Sequence, residues 1–462
     1  MATISSPGIG SGLDVNAIVS QMMKLEQRPL QLLQVKAGGI DTKISAYGQV
    51  KSAMSALYDA ARGLSNLDTW RGKQFSSGDE AIVKGSASGS AQAAKFSVQV
   101  NGLAQSQAVA SGALASGAAI GSGGTLTLQT GRWSADQSGF TGAGASVGIA
   151  IDAGDTLASI AGKINKENAG VSAVVVKSAA GEQLLLRSSK TGEENGFSLS
   201  VSNPGLNALA HDPASVAAGS GATRTQAARD ASLTLNGIDI LSASNTVEDV
   251  VPGVTLNLLK ASEKAVEIDV SDDSKLVKDK IEAFKDAYNK LNGLIANLTH
   301  YDQASKKSQP LQGDGTIVAL QGALRGLIGN ANGAGQYLSN FGLELQRDGS
   351  LAINSKKLDE ALQDLPALQN ALTNANDGLV TRIRDFAFKA NGVDGNITGR
   401  SKALQEALKR NESDQERMGM LLEQRQKTML KQYQALDANM NSLNALGSFM
   451  SSQISQWNSN KS

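Results

Sequence analysis

The 462-residue sequence contains no cysteine and only two histidines. The lack of cysteine excludes disulfide bonds, thiolate nucleophiles and zinc sites with cysteine ligands. His211 and His300 belong to no pattern such as HExxH, so a histidine metal site or a Ser/His catalytic pair has little raw material. Both histidines are therefore expected in loops or at the surface.

Aromatic residues are scarce, and neither sign of charge dominates. Phe, Trp and Tyr make up 4% of the chain, which is little for an aromatic-lined small-molecule pocket. Lys plus Arg and Asp plus Glu number 43 each, so no net field attracts nucleic acid. The start "MATISSPGIG" lacks the regions of a Sec signal peptide, and no apolar run approaches the roughly 20 residues that span a bilayer. We predict neither nucleic-acid binding nor membrane insertion.

Helical periodicity opens and closes the chain. Apolar residues recur at steps of three and four over residues 15–64 and again from Asp272 onward. Between them, segments such as "KFSVQVNGLAQ", "VSAVVVKS" and "ASLTLNGIDI" alternate β-forming residues between glycine-rich connections. A short helix is expected over 156–168, and a hairpin turning at 348–349. The sequence predicts an α+β multidomain fold: terminal coiled-coil or bundle helices pair antiparallel, with antiparallel β-rich domains inserted between them.

These changes of pattern divide the chain into four predicted parts. The predicted parts are terminal leg helices flexible in the monomer (1–42 and 430–462), a helical bundle domain with a small hairpin (43–75 and 272–429), an inner β-domain (76–106 and 225–271) and an outer β-domain (107–224).

Several short motifs imitate chemical sites but are better explained as structural elements. The glycines at 8–12 mimic part of a dinucleotide fingerprint, yet no strand precedes them. The carboxylate pairs 193–194 and 272–273 lie at junctions where such residues usually cap helices. "GDGT" at 313–316 and "RDGS" at 347–350 lack the alternating ligands of a calcium loop and indicate turns. We predict no catalytic, cofactor-binding or metal-binding residue, and no enzyme activity.

The first helix carries more apolar surface than a single partner covers. Asp14 is placed to cap it, and Pro29 is expected to end or kink it. A helix of this length lies within the roughly 12 to 15 residues at which isolated helices are marginal in water, so it needs packing. One antiparallel helix is not expected to cover the broad stripe, so we predict that the ends order only between subunits or on a partner. The stripe consists of Ile18, Val19, Met22, Met23 and Leu25.

The ends and the middle of the chain resemble one family. "GIGSGLDVNAIVSQMMKLEQRPLQLLQ", "DTLASIAGKINKENAGVSAVVV" and "KQYQALDANMNSLNALGSFM" are similar to segments of the bacterial flagellar filament cap family, also called hook-associated protein 2 or FliD. The residues that carry its motifs are Gly10, Gly12, Leu13 and Asp14 near the start and the "IN" pair Ile164 and Asn165. Residues 110–148 and 206–229 match nothing in this family pattern.

The resemblance implies a structural protein without cofactor, secreted through flagellar type III export and located extracellularly at the filament tip. It implies a homo-oligomeric ring, pentamer or hexamer, that helps exported flagellin to fold and insert and prevents its leakage. Further implied partners are hook-filament junction proteins and a cytoplasmic export chaperone at the C-terminal helix. The leg residues expected to contact other subunits or flagellin are Ile18, Met22, Leu25, Leu436, Met440, Leu443 and Ile454.

Two other functions remain open from sequence alone. Another axial flagellar component, such as a hook-filament junction protein, shares helical ends around β-domains. An extracellular adhesin would use the Gly/Ser-rich β-region to bind host mucin or a glycan, and this activity is compatible with capping.

Overall fold

The computed structural model describes residues 14–212, 221–303 and 306–459. The helices are α1 Val15–Glu26, α2 Arg28–Ser65, α3 Leu67–Arg71, α4 Leu157–Glu167, α5 Ser274–Thr299, α6 Gly315–Gly329, α7 Ser355–Ala361, α8 Leu365–Thr373, α9 Leu379–Asn391 and α10 Asn396–Ser459. Short 3-10 helices span Glu193–Asn195, Pro204–Leu209 and Leu338–Phe341.

Neighbouring strands pair antiparallel. They are β1 Lys73–Ser77, β2 Val83–Ala87, β3 Ala94–Gly102, β4 Ala108–Ala110, β5 Gly124–Trp133, β6 Phe140–Gly142, β7 Val147–Ile151, β8 Val171–Ser178, β9 Gly181–Ser188, β10 Gly196–Val201, β11 Thr223–Gln226, β12 Ala231–Leu235, β13 Ile238–Ser242, β14 Thr246–Val251, β15 Val254–Leu258, β16 Val266–Asp272, β17 Tyr301–Asp302, β18 Lys307–Ser308, β19 Leu343–Leu345 and β20 Leu351–Ile353.

The chain divides into two compact units. A helical unit comprises Met1–Thr69 and Ser274–Ser462, and a β-unit comprises Trp70–Asp273. Along the chain, helices therefore precede and follow an inserted region of antiparallel sheets, which confirms the predicted fold class. The finer division into four parts stays a prediction.

In the helical unit, α2 is the central element, and α5, α9 and α10 pack along it. Eight apolar residues of α2 follow the predicted steps of three and four; six of them are buried, whereas Ile40 and Ile44 are only half-buried. The buried members are Tyr47, Val50, Met54, Leu57, Ala61 and Leu64. Burial of each such side chain contributes about 1.5 to 3 kcal/mol, so this seam fixes α2 in the core.

The hairpin β19–β20 forms where the sequence predicts it. Leu345 pairs with Leu351 across the turn, and Gly349 has φ +82°, a conformation that favours glycine. Asn289 on α5 binds the hairpin edge, because its amide donates to the Leu351 carbonyl at 2.8 Å and accepts from the Leu351 N–H at 2.7 Å. The α5 side chain therefore satisfies backbone groups that would otherwise be unpaired.

The β-unit contains two separate apolar cores. One lies between the sheets β1-β16-β3-β12-β13 and β14-β15-β2, with Val98, Leu233 and Leu256 at its centre. The other lies between the sheets β10-β5-β6, to which β7 adds, and β11-β4-β9-β8, and α4 packs into it through Ile160 and Ile164. Alternating burial along the strands provides both cores.

The helix predicted inside the β-region is α4. Thr156 caps it by accepting from the Ser159 N–H, while the Ser159 hydroxyl accepts from the Thr156 N–H. Asn168 ends it in the left-handed conformation with φ +49°. Such capping motifs depend on residues close together in the chain, so they can be recognised from the sequence.

His211 lies in a connecting segment outside the named strands, as expected for a loop residue, but it is half-buried. The residue forms an isolated bridge with Leu199, and its imidazole lies 5.1 Å from the Trp133 ring. Burial lowers the pKa of His211, which keeps the ring neutral near pH 7. His300, at the end of α5, is exposed as expected.

Candidate functional site

Two long helical arms leave the core of the helical unit. The N-terminal arm is residues 14–44, formed by α1 and the first part of α2, and the C-terminal arm is residues 404–459 of α10. Gln27 interrupts the N-terminal arm for one residue only, since its N–H donates to the Met23 carbonyl and its carbonyl accepts from the Gln31 N–H. Pro29 lies in the first turn of α2, where its missing N–H costs little. The helical path therefore continues past the predicted break.

A polar cluster, in which a tyrosine and an aspartate are buried, anchors both arms at their base. The Tyr47 hydroxyl on α2 donates to Asp314 Oδ1 at 2.7 Å, and the Arg400 guanidinium on α10 donates to Asp314 Oδ2 at 3.2 Å. Asp314 also caps α6 by accepting from the Thr316 N–H. One carboxylate thus ties α2, α6 and α10 together.

The same contacts set the charge state of this cluster. Burial alone would raise the pKa of Asp314, but the hydrogen bond from Tyr47 and the charge of Arg400 hold the pKa below its usual value. Burial and the carboxylate of Asp314 raise the pKa of the Tyr47 hydroxyl. The cluster is therefore a neutral tyrosine, an ionised aspartate and a charged arginine at neutral pH. The "GDGT" segment is both a turn and a helix cap.

The two arms pack antiparallel against each other. Arg425 pairs with Glu26 at 3.0 Å, and further along α10 the Tyr433 hydroxyl donates to Met22 Sδ at 3.4 Å. Asp14 caps α1 as predicted, accepting from the Ala17 N–H at 2.9 Å. A small apolar cluster joins the arms; its buried members are Val15, Val19, Met23 and Leu422.

This packing divides the predicted stripe of α1 into two faces. Val19 and Met23 are buried against the C-terminal arm, so α10 covers this part of the stripe. Ile18 is half-buried, while Met22 and Leu25 are exposed, Leu25 by 78%. The three predicted contact residues on α1 are therefore those that the chain itself leaves uncovered or only partly covered.

The predicted contact residues on the C-terminal arm are exposed as well. Leu436, Met440, Leu443 and Ile454 all have exposed side chains, and Leu443 is 63% exposed. Asp437 is the one charged residue between positions 436 and 459. The side chain of Trp457 and the motif residues Gly10, Gly12 and Leu13 lie outside the described residues.

The structure adds exposed apolar residues that the sequence reading did not select. Leu32 and Val35 extend the open face of the N-terminal arm, and Val35 is 74% exposed. Leu32 follows Leu25 by seven residues, so a heptad count carried across Pro29 would have found it. On the C-terminal arm, Phe449 is also exposed. The open surface is thus longer than predicted on the N-terminal arm and includes one more apolar residue on the C-terminal arm.

The two residues of the "IN" pair have different structural roles, one in the core and one at a sheet edge. Ile164 is buried in the core beneath α4. The Asn165 amide donates to the Ala173 carbonyl and accepts from the Ala173 N–H, both at 2.8 Å. Ala173 lies on β8, the last strand of its sheet, so Asn165 replaces part of a missing neighbouring strand. The observed role of the pair is structural.

A polar cleft in the β-unit has a volume of about 510 Å³, and Arg132, Trp133 and Arg224 are among the residues that line it. Arg132 pairs with Glu193 and Glu194, and the Arg224 guanidinium lies 5.7 Å from the Trp133 ring centre. The carboxylate pair 193–194 therefore forms ion pairs.

Across the described residues, no group of His, Asp and Glu side chains is arranged to hold a metal ion. No helix in this part of the chain is long and apolar enough to cross a membrane.

Comparison with known proteins identifies the family. The family described as flagellar hook-associated protein 2 N-terminus matches residues 11–107, and the one described as flagellar hook-associated protein 2 C-terminus matches residues 228–445. The A-type flagellar hook-associated protein 2 of Pseudomonas aeruginosa is 30% identical over 475 residues, covering 97% of this chain and 96% of the relative. This chain belongs to the flagellar hook-associated protein 2 family.

Other members of the hook-associated protein 2 family agree with this assignment. The flagellar hook-associated protein 2 of Escherichia coli K12 is 28% identical over 98% of each chain. The crystal structure of the flagellar cap protein FliD D1-D2-D3 domains from Escherichia coli has a TM-score of 0.61 at 27% identity, covering 78% of this chain and 99% of that chain. The flagellin hook IN motif matches residues 138–190, which include Ile164 and Asn165. These relatives do not support the two alternatives, an adhesin or a hook-filament junction component.

Proposed function

We propose that this chain caps the distal end of a bacterial flagellar filament, where a ring of copies promotes the folding and insertion of exported flagellin and prevents its leakage. The proposed role is structural and not enzymatic, and its place is extracellular. The observation that carries the proposal is the pair of helical arms with an apolar face that no part of the described chain covers.

The open face on the arms fits contacts between subunits and with flagellin. Leu25 and Val35 on one arm and Leu443 on the other each expose most of their side chain to water. Covering such a side chain yields about 1.5 to 3 kcal/mol, which is moderate for one contact and large for several together. Monomeric proteins rarely leave extended apolar surface without a partner.

Moderate contacts suit a cap that must move as the filament grows. Each inserted flagellin has to displace an arm while the remaining arms hold the ring in place. When several weak contacts are linked in one ring, the effective concentration of the bound subunits keeps a released arm close to its next site. Binding through a single tight contact would prevent this stepwise exchange.

A paired substitution in the open face tests the proposal. Leu25→Glu with Leu443→Glu places two charges on the faces that should be covered in the cap. In a strain that lacks the native copy, this variant is expected to give short or absent filaments and flagellin in the culture medium. Burial of an unpaired carboxylate is costly, so the contacts should fail.

The matched control is Ser20→Glu with Asn441→Glu. These residues are exposed on the same two helices but lie away from the apolar stripes, so the control adds the same charge to the same arms. It should support normal filaments. Normal filaments from the Leu25→Glu, Leu443→Glu variant, at equal secretion, would contradict the role of the open face.

The subunit number is proposed to be five or six, giving a pentamer or hexamer. Native mass spectrometry of the full chain reads this number directly, and a stable monomer at the concentrations tested would contradict a ring. Crosslinking from the arms to flagellin and to hook-filament junction proteins at the filament base would establish which axial partners the cap meets.

A cytoplasmic export chaperone is proposed to bind the C-terminal arm before secretion. The supporting observation is the exposed apolar stripe that includes Leu436, Met440 and Ile454, since amphipathic helices commonly dock into apolar grooves. Removal of residues 436–462 should abolish co-purification of the chaperone. Unchanged co-purification would place its site elsewhere.

Binding of host mucin or a glycan remains a separate proposal for the β-unit. Glycan-array binding by the full-length protein tests it. The outcome does not bear on capping, because the open faces of the arms lie in the helical unit.

A further inference from the structure

Each arm contains a segment in which its helix is locally destabilised, and the two segments lie at a similar distance from the base cluster. On α2 the weak point is the glycine pair Gly38–Gly39, in the middle of a 38-residue helix. Each glycine destabilises a helix interior relative to alanine, because its backbone loses more conformational freedom on folding. A β-carbon added at either position would have no atom within 4 Å, so close packing does not explain the pair. What remains is conformational freedom.

A hydrogen bond adds to this weakness. The Thr42 hydroxyl donates to the Gly38 carbonyl at 2.8 Å, one helical turn away. Such a side-chain bond to a carbonyl of the preceding turn weakens and often bends a helix. Two glycines and a competing donor therefore meet within five residues of α2.

On α10 the corresponding weak point is Asn411. The residue is only 4% exposed, although it occupies the face of α10 that otherwise buries Leu404 and Leu422. Its Oδ1 accepts from Gln415 Nε2 at 2.7 Å, while its Nδ2 has no partner among the described residues. A buried amide with an unsatisfied donor destabilises the helix pairing, because the donor has lost its hydrogen bonds to water. The adjoining Ser413 and Asp414 are also poor helix formers.

The pairing of the arms places these points opposite each other. The base cluster holds Tyr47 and Arg400 to Asp314, and further out Glu26 pairs with Arg425. Gly38 lies nine residues from Tyr47 and twelve from Glu26, while Asn411 lies eleven from Arg400 and fourteen from Arg425. Both therefore lie a little under halfway from the inner contact to the outer one.

We propose that the two arms bend together at a hinge formed by Gly38–Gly39 and Asn411. The base cluster and the core beyond it stay fixed, while the outer parts of both arms move as one pair. Sharp helix kinks begin at about 20° and occur at sites such as proline and pairs of glycine or serine, so we take a bend of about 20° for the hinge. Such a bend at Gly38 would move Ser20, roughly 27 Å away along the helix, by about 9 Å. The inference rests on the helical unit alone and not on the proposed capping function.

Distance measurements between spin labels test the hinge directly. Because the chain has no cysteine, Ser20→Cys on the outer arm and Glu360→Cys on α7 introduce two unique labelling sites, both exposed. Double electron–electron resonance on the full chain should give a distribution of label-to-label distances that is several ångströms wide. The substitutions Gly38→Ala and Gly39→Ala together should narrow this distribution, since they remove freedom without creating a clash.

The matched control is Gly48→Ala. Gly48 lies on the same helix, and an added β-carbon there also has nothing within 4 Å, but it adjoins Tyr47 in the base cluster. It should leave the width unchanged. A narrow distribution in the unmodified chain, or equal widths with and without Gly38→Ala and Gly39→Ala, would overturn the hinge.

A second measurement keeps the test independent of the labels. Amide hydrogen exchange should be faster over residues 34–42 than over 50–57 in the unmodified chain, and the two alanine substitutions should slow it at least threefold. Asn411→Leu should slow exchange over the same residues of α2, because it replaces the unsatisfied amide by an apolar contact. Equal exchange on both sides of Tyr47 would contradict the proposal.

Discussion

Removal of one hydroxyl at the base of the arms should destabilise the helical unit measurably. Tyr47→Phe keeps the buried ring and deletes the hydrogen bond to Asp314, which is 2.7 Å long and wholly inside the protein. Hydrogen bonds to charged groups contribute about 1.5 to 3 kcal/mol. Asp314 keeps the Thr316 N–H and Arg400, so we expect a loss of about 2 kcal/mol in the free energy of unfolding.

The expected shift can be read as a melting temperature. For a unit of this size, 1 kcal/mol corresponds to roughly 2 to 4 °C, so Tyr47→Phe should lower the transition by about 4 to 8 °C. Circular dichroism at 222 nm follows this transition, because almost all the described helices belong to the helical unit. Tyr301→Phe is the control, since Tyr301 is exposed. A decrease below 1 °C for Tyr47→Phe would refute the reasoning.

The same cluster predicts a dependence on pH. The folded pKa of Asp314 lies below its unfolded value, so the ionised carboxylate stabilises the fold at neutral pH. That contribution should be lost as the pH falls below about 4 and toward the folded pKa. In Tyr47→Phe the pKa of Asp314 should rise toward its ordinary value, because one hydrogen bond to the charged form is gone. When the free energy of unfolding is measured in urea at pH 7 and pH 3, the difference between Tyr47→Phe and the parent should be smaller at pH 3.

Three further predictions concern single contacts. Asn165→Ala should destabilise the β-unit by about 1 to 2 kcal/mol in urea unfolding, because the Ala173 backbone loses both bonds, and an equal stability would contradict the edge-closing role. The hydrogen bond from Lys163 lowers the pKa of Asp155 to about 2, so in an NMR titration its carboxyl should stay ionised down to that pH, and Lys163→Met should raise the midpoint. Gly342→Ala should destabilise the helical unit by more than about 1 kcal/mol, since φ there is +83° and a β-carbon would lie 2.7 Å from a backbone oxygen; an unchanged transition would count against that strain.

Elements that depend on neighbouring residues were predictable from the sequence. The Asp14 cap, the ends of α4 at Thr156 and Asn168 and the turn at 348–349 all follow from local capping and turn chemistry. The identity of the exposed leg residues Leu25 and Leu443 was likewise visible as an apolar spacing. These features need no knowledge of the tertiary fold.

Features that depend on distant residues were not predictable. Asp314 is a turn residue in the sequence, and its bond to Tyr47 spans 267 positions. The division of the α1 stripe into a buried face with Val19 and an open face with Leu25 depends on the side from which α10 approaches. Periodicity gives the angle between residues on one helix but not the direction of its partner.

The displacement that the proposed hinge would give the outer arm is similar to the diameter of a helix that the open apolar faces could bind. A bend of about 20° at Gly38 would move Val15, roughly 35 Å away, by about 12 Å, which is close to the 10 to 12 Å diameter of one helix. A bend of that size is therefore enough to engage or release one helix of a neighbouring molecule without disturbing the base cluster. A stiff arm would need the whole helical unit to move for each exchange, because the face that includes Leu25 and Val35 lies entirely outside the hinge. If the open faces do bind successive flagellin subunits, Gly38→Ala with Gly39→Ala should slow filament growth while leaving the binding surface itself intact.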